Sequence, residues 1–597
     1  MGAFVGVLGS VAGDAAGAML ARLQHRGRRT HAENIGPDLF LGSVGDAPET
    51  QIHARGERIL VCDVGATTGR ELRKRGVGAI SGASSVAELL LATQDAGPAS
   101  LEQVDGSFAL ALVDQSRRRV VLARDFFGTL PLFYAVVPSV GIIFASEYKA
   151  LLCLPGLDAS VDADMVQYLQ NAKKLPPGRT LLAGVHSVPP GCVLELAHDA
   201  DPHEVHRFAP LEVKVDNSSE AEAVERVRTG LRDAVARQCG DGERIGIALS
   251  GGIDSIGVAC LARELYPDRP IHTFTASNGP DDPEGITARR VAKGLGATHH
   301  DVTTTPDLLE TRLDQLVWHL EDPYARSETL QLFEVGAAAA SHVDVLISGQ
   351  GADSLFGGMP RYRLLDLMRP LVGVPFLRGP LTEFYNQTQL GLPPSSWLGK
   401  ALDLAYYRGK LPPVPVVRGA HGPPQPVELP EPGPEFVNRA MARGFQAGQA
   451  SDFPKYERCF AAYGIAYRSP FCDVTFARSA YTISDSLKIK NGAQKYILRR
   501  AMASVVPEAF LAVPKFMQAL KQDAAFADRL DQVCSRVLSR EAVTRRGLFD
   551  YAEIERLSRR PPGGTYTRDA ANRLWTALTT EVWARLFIDG RGRPPAQ

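Results

Sequence analysis

Three observations predict an α/β fold in two domains: strand-and-turn text to about residue 208, a helix-capping signature just after it, and alternating strands and helices beyond. The opening stretch, MGAFVGVLGSVAGDAAGAML, is apolar but has no basic n-region and carries Asp14, so it reads as a buried strand and a following helix. Position 6 is Gly6, not Ser or Thr, so the Met-Gly start does not complete a myristoylation pattern. GERILVCDVG, SFALALVDQ, RRVVLARD, PLFYAVV, GIIFASE and CVLELAHD follow as short strands separated by turn residues. Ser219, three residues before Glu222, has the spacing of a capping box, and Val224, Val227, Leu231 and Val235 recur at helical intervals after it. A second domain therefore opens near residue 218. RIGIALS, a helix through VACLAREL, HTFTAS, a helix through ITARRVAKGLG and then DVLIS imply a parallel, doubly wound sheet. Nine prolines between Lys410 and Phe436 exclude helix interior or central strand, so 410–436 reads as an extended surface loop. Beyond it the text is mostly helical. The predicted domains are 1–210 and 218–597.

Length and composition set wide bounds. A chain of 597 residues, 45% hydrophobic and 22% charged, has room for several cores. Lys+Arg 66 against Asp+Glu 67 leaves a net charge of −1, with no global excess to point to nucleic acid. Eight cysteines without C-x-x-C spacing suit reduced thiols better than a disulfide scaffold. No run approaches the ~18 apolar residues of a membrane span, and the expectation is a cytoplasmic protein.

The segment RIGIALSGGIDSIGVACLAREL carries the strongest chemical signal. Ile245, Ile247 and Leu249 alternate as a strand, Ser250-Gly251-Gly252 form a turn, and a helix begins near Asp254. Such a turn aims backbone N–H groups and the positive helix end at one point, as a pyrophosphate requires. No Walker A spacing is present. An acidic residue beside a phosphate implies a bridging metal, and a second carboxylate, Asp353 in DVLISGQGADSLFGG, follows the end of another strand. Together the two could share one Mg²⁺ on ATP.

With these loops in place the sequence resembles the asparagine synthetase family. SGGIDS and SGQGADSLFGG are similar to its two ATP loops, GIAYRSPFCDVTFARSAY and KYILRRAMASVVPEAFLAVPKFMQ to its C-terminal region, and LQHRGR, VDGSFALALVD, LARDFFGTLPLFYA and FASEYKALL to its glutaminase domain. The resemblance implies an N-terminal α/β/β/α sandwich of the N-terminal-nucleophile type and a Rossmann-like ATP-pyrophosphatase domain. It also implies adenylation of a carboxylate and capture by an amine. ATP would contact Leu249, Ser250, Gly251, Gly252, Asp254, Ser255, Ala276, Ser348 and Gly349, with Mg²⁺ on Asp254 and Asp353.

The sequence departs from the family where glutamine would be hydrolysed. Family glutaminases use a cysteine at position 2; here position 2 is Gly2 and the first cysteine is Cys62. The family's glutamine-binding stretches are replaced by Asp63-Val64-Gly65 and Ser84-Ser85-Val86-Ala87. The domain is expected to survive as scaffold, with the amine coming from elsewhere. Relatives of this pattern are lasso-peptide cyclases and β-lactam synthetases. Gln350 stands where the latter carry a Tyr and asparagine synthetases a Glu, and it cannot titrate. The long second domain suits a precursor peptide, with a leader-binding protein and a protease of the same pathway as partners. Small-molecule amide or lactam formation, ammonia-using asparagine synthesis and a non-catalytic scaffold stay as alternatives.

Among individual residues, the resemblance gives Lys515 the role of stabilising charge on the acyl group and phosphate. Glu321, with Asp322 beside it, is a candidate base or amine ligand, and Tyr362 a weaker one. His299-His300-Asp301 looks metal-like but reads better as a strand start.

Overall fold

A computed structural model of the chain describes residues 2–10, 13–46, 52–65, 95–172, 174–197, 200–240, 242–323, 328–390, 395–407, 428–511, 520–561 and 563–595. Its first part is two stacked antiparallel sheets. The strands are β1 (Gly2–Gly9), β2 (Thr30–Asn34), β3 (Leu39–Gly45), β4 (Ile52–Arg55), β5 (Arg58–Val64), β6 (Phe108–Asp114), β7 (Arg119–Arg124), β8 (Phe133–Val137), β9 (Gly141–Ala145), β10 (His186–Ser187), β11 (Cys192–Ala197) and β12 (Ala200–Arg207). One sheet runs β10-β8-β9-β1-β3-β2 and the other β12-β11-β7-β6-β5-β4.

Alternation along each strand builds the layers. In β1, Phe4 and Leu8 face the core between the sheets, while Ala3, Val5 and Val7 face a layer formed by α1 (Gly13–Ala21), α2 (Tyr148–Leu151) and α3 (Ala163–Ala172). In β6, Ala109, Ala111 and Val113 line the inter-sheet core. Phe108, Leu110 and Leu112 point the other way, into a core shared with the second part of the chain. The expected strands and opening strand–helix pair are present. β2, β3, β4, β10 and β12 were not read from the sequence.

The second part begins with α4 (Glu220–Cys239), and the capping box is formed on both sides: Ser219 accepts from the Glu222 N–H, and Glu222 accepts from the Ser219 N–H. Val227, Leu231 and Val235 are buried along it. A five-stranded sheet follows in the order β15-β14-β13-β16-β17, from β13 (Ile245–Ala248), β14 (Ile271–Ser277), β15 (Thr298–Thr303), β16 (Val345–Ile347) and β17 (Ala466–Arg468), with every pairing parallel. Edge strand β17 lies within text expected to be helical; three residues carry too little periodicity to show. Helices α5 (Ile253–Leu265), α6 (Pro283–Gly294), α7 (Leu313–Leu320) and α8 (Glu328–Ala339) connect the strands. Two more matter below, α9 (Phe436–Ala461) and α10 (Tyr496–Met502). Of the predicted proline-rich loop, 428–435 is non-helical and 408–427 lies outside the described residues. Among the described residues no helix is long and apolar enough to cross a membrane.

Candidate functional site

Strand order reverses between β13 and β16, since β14 and β15 add on one side and β16 and β17 on the other. The crevice at the carboxyl ends of these two strands is where open α/β sheets bind ligands. Both glycine-rich loops open there. The first is shaped by Ser255, whose hydroxyl accepts from the Ser250 N–H (3.0 Å), donates to the Gly252 carbonyl (3.1 Å) and meets the Ser250 hydroxyl at 3.1 Å. Gly252 caps α5 with no side-chain acceptor, so the first N–H groups of that helix face the turn. Leu249 is buried and held to Phe274, and Ala276 is buried near the end of β14.

The second loop closes onto the first because two positions have no Cβ. At Gly349 a Cβ would lie 2.9 Å from Asp254 Cβ and from the Ser255 nitrogen. At Gly358 it would lie 2.1 Å from Lys495 Cε and 2.2 Å from Asp353 Oδ1. Asp254 and Asp353, 99 residues apart in sequence, are thus brought to one cation: Lys495 Nζ contacts Asp353 Oδ1 at 2.6 Å and also binds Asp254 Oδ2. Burial works against the charge on Lys495, but the two carboxylates outweigh it and hold the ammonium above the usual lysine range. Lys495 precedes α10 with φ of 55°, a left-handed conformation that costs a non-glycine residue about 1–2 kcal/mol. This lysine was missed in the sequence.

Among the described residues two carboxylates meet one ammonium beside a turn built for anions. That donor set fits a hard divalent cation with oxygen ligands, bridging to phosphate, and so fits ATP with Mg²⁺.

The other expected residues divide. Ser348 is in place, its hydroxyl 2.7 Å from the Tyr467 hydroxyl, and accepts from the Gln350 N–H (3.2 Å). The Gln350 side chain donates to Gln449 of α9 (3.3 Å), an amide–amide pair. Lys515 lies outside the described residues, as does the Ser84–Ala87 stretch. Glu321 serves the joint between the domains: it ends α7 at φ 56°, and its two carboxylate oxygens accept from the backbone N–H groups of Tyr148 (3.1 Å) and Lys149 (2.6 Å). To act as a base it would have to release those bonds. Asp322 lines an interdomain cavity of about 320 Å³ with Tyr168, Lys174, Arg179, Lys455 and Arg458. Tyr362 is core. His299-His300-Asp301 follows Thr298, the first residue of β15, with His299 on Thr273 and Asp301 on Ser277 and Arg289.

At the corresponding centre of the first domain, Gly2 starts β1 and its N–H bonds the buried Asp63 carboxyl. Cys62 is in no disulfide and is wholly buried in the core. Beside them Arg26 donates to Glu147 (2.6 Å) and to Glu457 of α9, Lys149 Nζ meets Glu147 at 2.6 Å and Glu321 at 4.0 Å, and Arg458 approaches Glu321 at 4.0 Å. This buried ion network crosses the domain boundary.

Comparison with known proteins agrees with this two-part layout. The glutamine amidotransferase domain model matches residues 69–208, and the asparagine synthase model matches 226–585. A putative glutamine-hydrolysing asparagine synthetase of Mycobacterium bovis is 29% identical over 530 residues, covering 83% of this chain and 78% of that protein. Glutamine-hydrolysing asparagine synthetase 1 of Bacillus subtilis is 26% identical over 536 residues, covering 85% and 82%. The amidase chyE of Penicillium rubens is 30% identical over 306 residues, covering 48% and 45%. Because the synthase match alone takes in more than half of its length, the chain belongs to the asparagine synthase family, whose members form carbon–nitrogen bonds.

Proposed function

We propose that this chain is an ATP-dependent ligase that adenylates a carboxylate, releases pyrophosphate and forms an amide with an amine not drawn from glutamine. Its substrate is a precursor peptide whose own amine closes onto an acidic side chain, a lasso-type macrolactam. The observation that carries the ligase reading is the convergence of Asp254, Asp353 and Lys495 across the β13–β16 crevice.

Each residue has a physical task in this reading. The N–H groups of the Ser250–Gly252 turn and of the α5 terminus hold phosphate oxygens. Lys495, with its two aspartates, keeps a cation against the departing pyrophosphate, and Lys515 stabilises charge on the reacting acyl group. Mg²⁺ on Asp254 and Asp353 would neutralise charge as the pyrophosphate leaves. Leu249 and Ala276 give the apolar floor for the nucleotide, and Ser348 with Gly349 its rim.

Two features support an amine source other than glutamine. Position 2 offers no thiol, and the nearest cysteine in sequence, Cys62, is sealed in the core. Gln350, paired with Gln449, offers no group to take a proton, so an amine must arrive deprotonated or lose its proton to another residue. The interdomain cavity, lined by six cationic side chains and two carboxylates, gives a peptide more to hold than aspartate would need.

The test is mass spectrometry of candidate acidic peptides incubated with ATP and Mg²⁺ and no glutamine. Loss of one water with release of AMP is expected. Pyrophosphate exchange with aspartate or another small acid, and none with any peptide, would shift the assignment to small-molecule amide synthesis. Glutamate released from glutamine would overturn the amine source.

A further inference from the structure

We propose that His272, His300 and His342 form a binding site for a borderline divalent transition ion of the zinc class, at the end of the parallel sheet away from the nucleotide loops. His272 is the second residue of β14, and His300 lies on β15 beside it; the register pairs His272 with Thr298 and Phe274 with His300. His342 comes from the turn between α8 and β16. Three segments distant in sequence thus deliver three imidazoles to one place. One ring nitrogen from each lies within 4.8 Å of the others, and His272 Nδ1 is 2.9 Å from His300 Nε2.

The donor set decides the class of ion. Zinc–imidazole bonds of 2.0–2.1 Å in tetrahedral geometry put ligand nitrogens about 3.4 Å apart, so an ion would replace the 2.9 Å hydrogen bond between His272 and His300 by side-chain rotation within a group already inside 4.8 Å. Three neutral nitrogen donors with no thiolate and no carboxylate suit Zn²⁺, Co²⁺, Ni²⁺ or Cu²⁺ and not the Mg²⁺ proposed for the aspartates at the other end. Among the described residues no carboxylate is hydrogen-bonded to these rings. The rings are also held: Phe274 stacks on His300 at 4.6 Å and 9°, and His300 meets His342 at 4.4 Å. All three are half-buried, so an ion reaches them from solvent and a water fills the fourth position.

Strand alternation explains why the sequence misleads. His299 and His300 are adjacent, so they point to opposite faces, and His299 bonds Thr273 on the far side. The metal-like pair is therefore split, and its second member finds partners 28 and 42 residues away. An ion here would tie β14, β15 and the entry to β16 together, on both sides of β13.

Untagged, chelator-stripped protein is titrated with Co²⁺ while visible absorption is recorded, then with Zn²⁺, and metal content is measured after gel filtration. One Co²⁺ per chain with the absorption bands of tetrahedral coordination, lost on adding Zn²⁺, is expected. His342→Ala, in a surface turn, should weaken binding by more than about 100-fold, beyond what losing an outer-shell partner does. His272→Asn should do the same with an unchanged far-UV spectrum, and His299→Ala should bind as the parent does. Absence of those bands, or stoichiometric metal retained by both His342→Ala and His272→Asn, means an adventitious ion only and overturns the site.

Discussion

The chain has a charged centre in each domain, and the two are built in opposite ways. In the synthetase centre the charges stay reachable: the side chains of Asp254 and Asp353 are 17% and 24% exposed, and two carboxylates face one ammonium. In the N-terminal centre Arg26, Glu147, Glu321 and Glu457 are at most 2% exposed, and with Lys149 and Arg458 three cations face three anions. Carboxylates at glycine-lined strand ends stay part-exposed to solvent. Charge balanced internally and sealed between domains has become a joint. Carboxylates paired with cationic side chains thus occur in both centres, part-exposed in one and sealed between domains in the other.

The sharpest way to break this comparison is to neutralise one carboxylate on each side. Asp254→Asn should cut ATP–pyrophosphate exchange by about 10³-fold, since it removes a charge needed only when phosphate charge develops. It should leave the folding midpoint near that of the parent, because the side chain is part-exposed and Lys495 keeps Asp353 as a partner. If the midpoint collapsed and exchange survived, the two centres would have their roles reversed. Arg26→Ala should do the converse. Leaving Glu147 and Glu457 buried without their guanidinium costs about 3–5 kcal/mol, read by denaturant unfolding, while exchange per folded molecule holds. A smaller effect, roughly 10-fold on exchange, is expected for Gly358→Ala, whose Cβ would part Lys495 from Asp353.

How much of this was legible follows from the range of each interaction. Ser250, Gly251, Gly252 and Asp254 sit in one strand–turn–helix, where local chemistry fixes the loop, and the sequence is enough. Gly349 and Asp353 repeat that grammar after β16. Lys495 does not: it stands 241 residues from Asp254, and its only local mark is a left-handed backbone before α10. Glu321 shows how far the surroundings of a residue can lie outside its own stretch of sequence. An acidic residue at a helix end looks available, but its environment is set by α2, 172 residues earlier, whose two backbone N–H groups occupy it. The ion network draws on residues from Arg26 to Arg458, and no window of sequence contains it.

The finest test of the comparison lies at Asp63, where burial comes closest to leaving a charge unmatched. Burial pushes its carboxyl up to about 6 from an ordinary 3.8, with Arg26 and the Gly2 N–H pulling the other way. The folded protein therefore keeps a proton that the unfolded chain gives up as pH rises between those values. The resulting stability is fully present below about 3.8 and is lost as pH rises through about 6. Asp63→Asn keeps an acceptor for the Gly2 N–H and has no proton to lose. Its unfolding free energy should exceed the parent's above about pH 7, by on the order of 1–3 kcal/mol, and converge with it in acid. Pyrophosphate exchange should not move. A variant less stable than the parent at every pH would mean that Asp63 is ionised and matched to a cation, and that the N-terminal centre holds a binding site still.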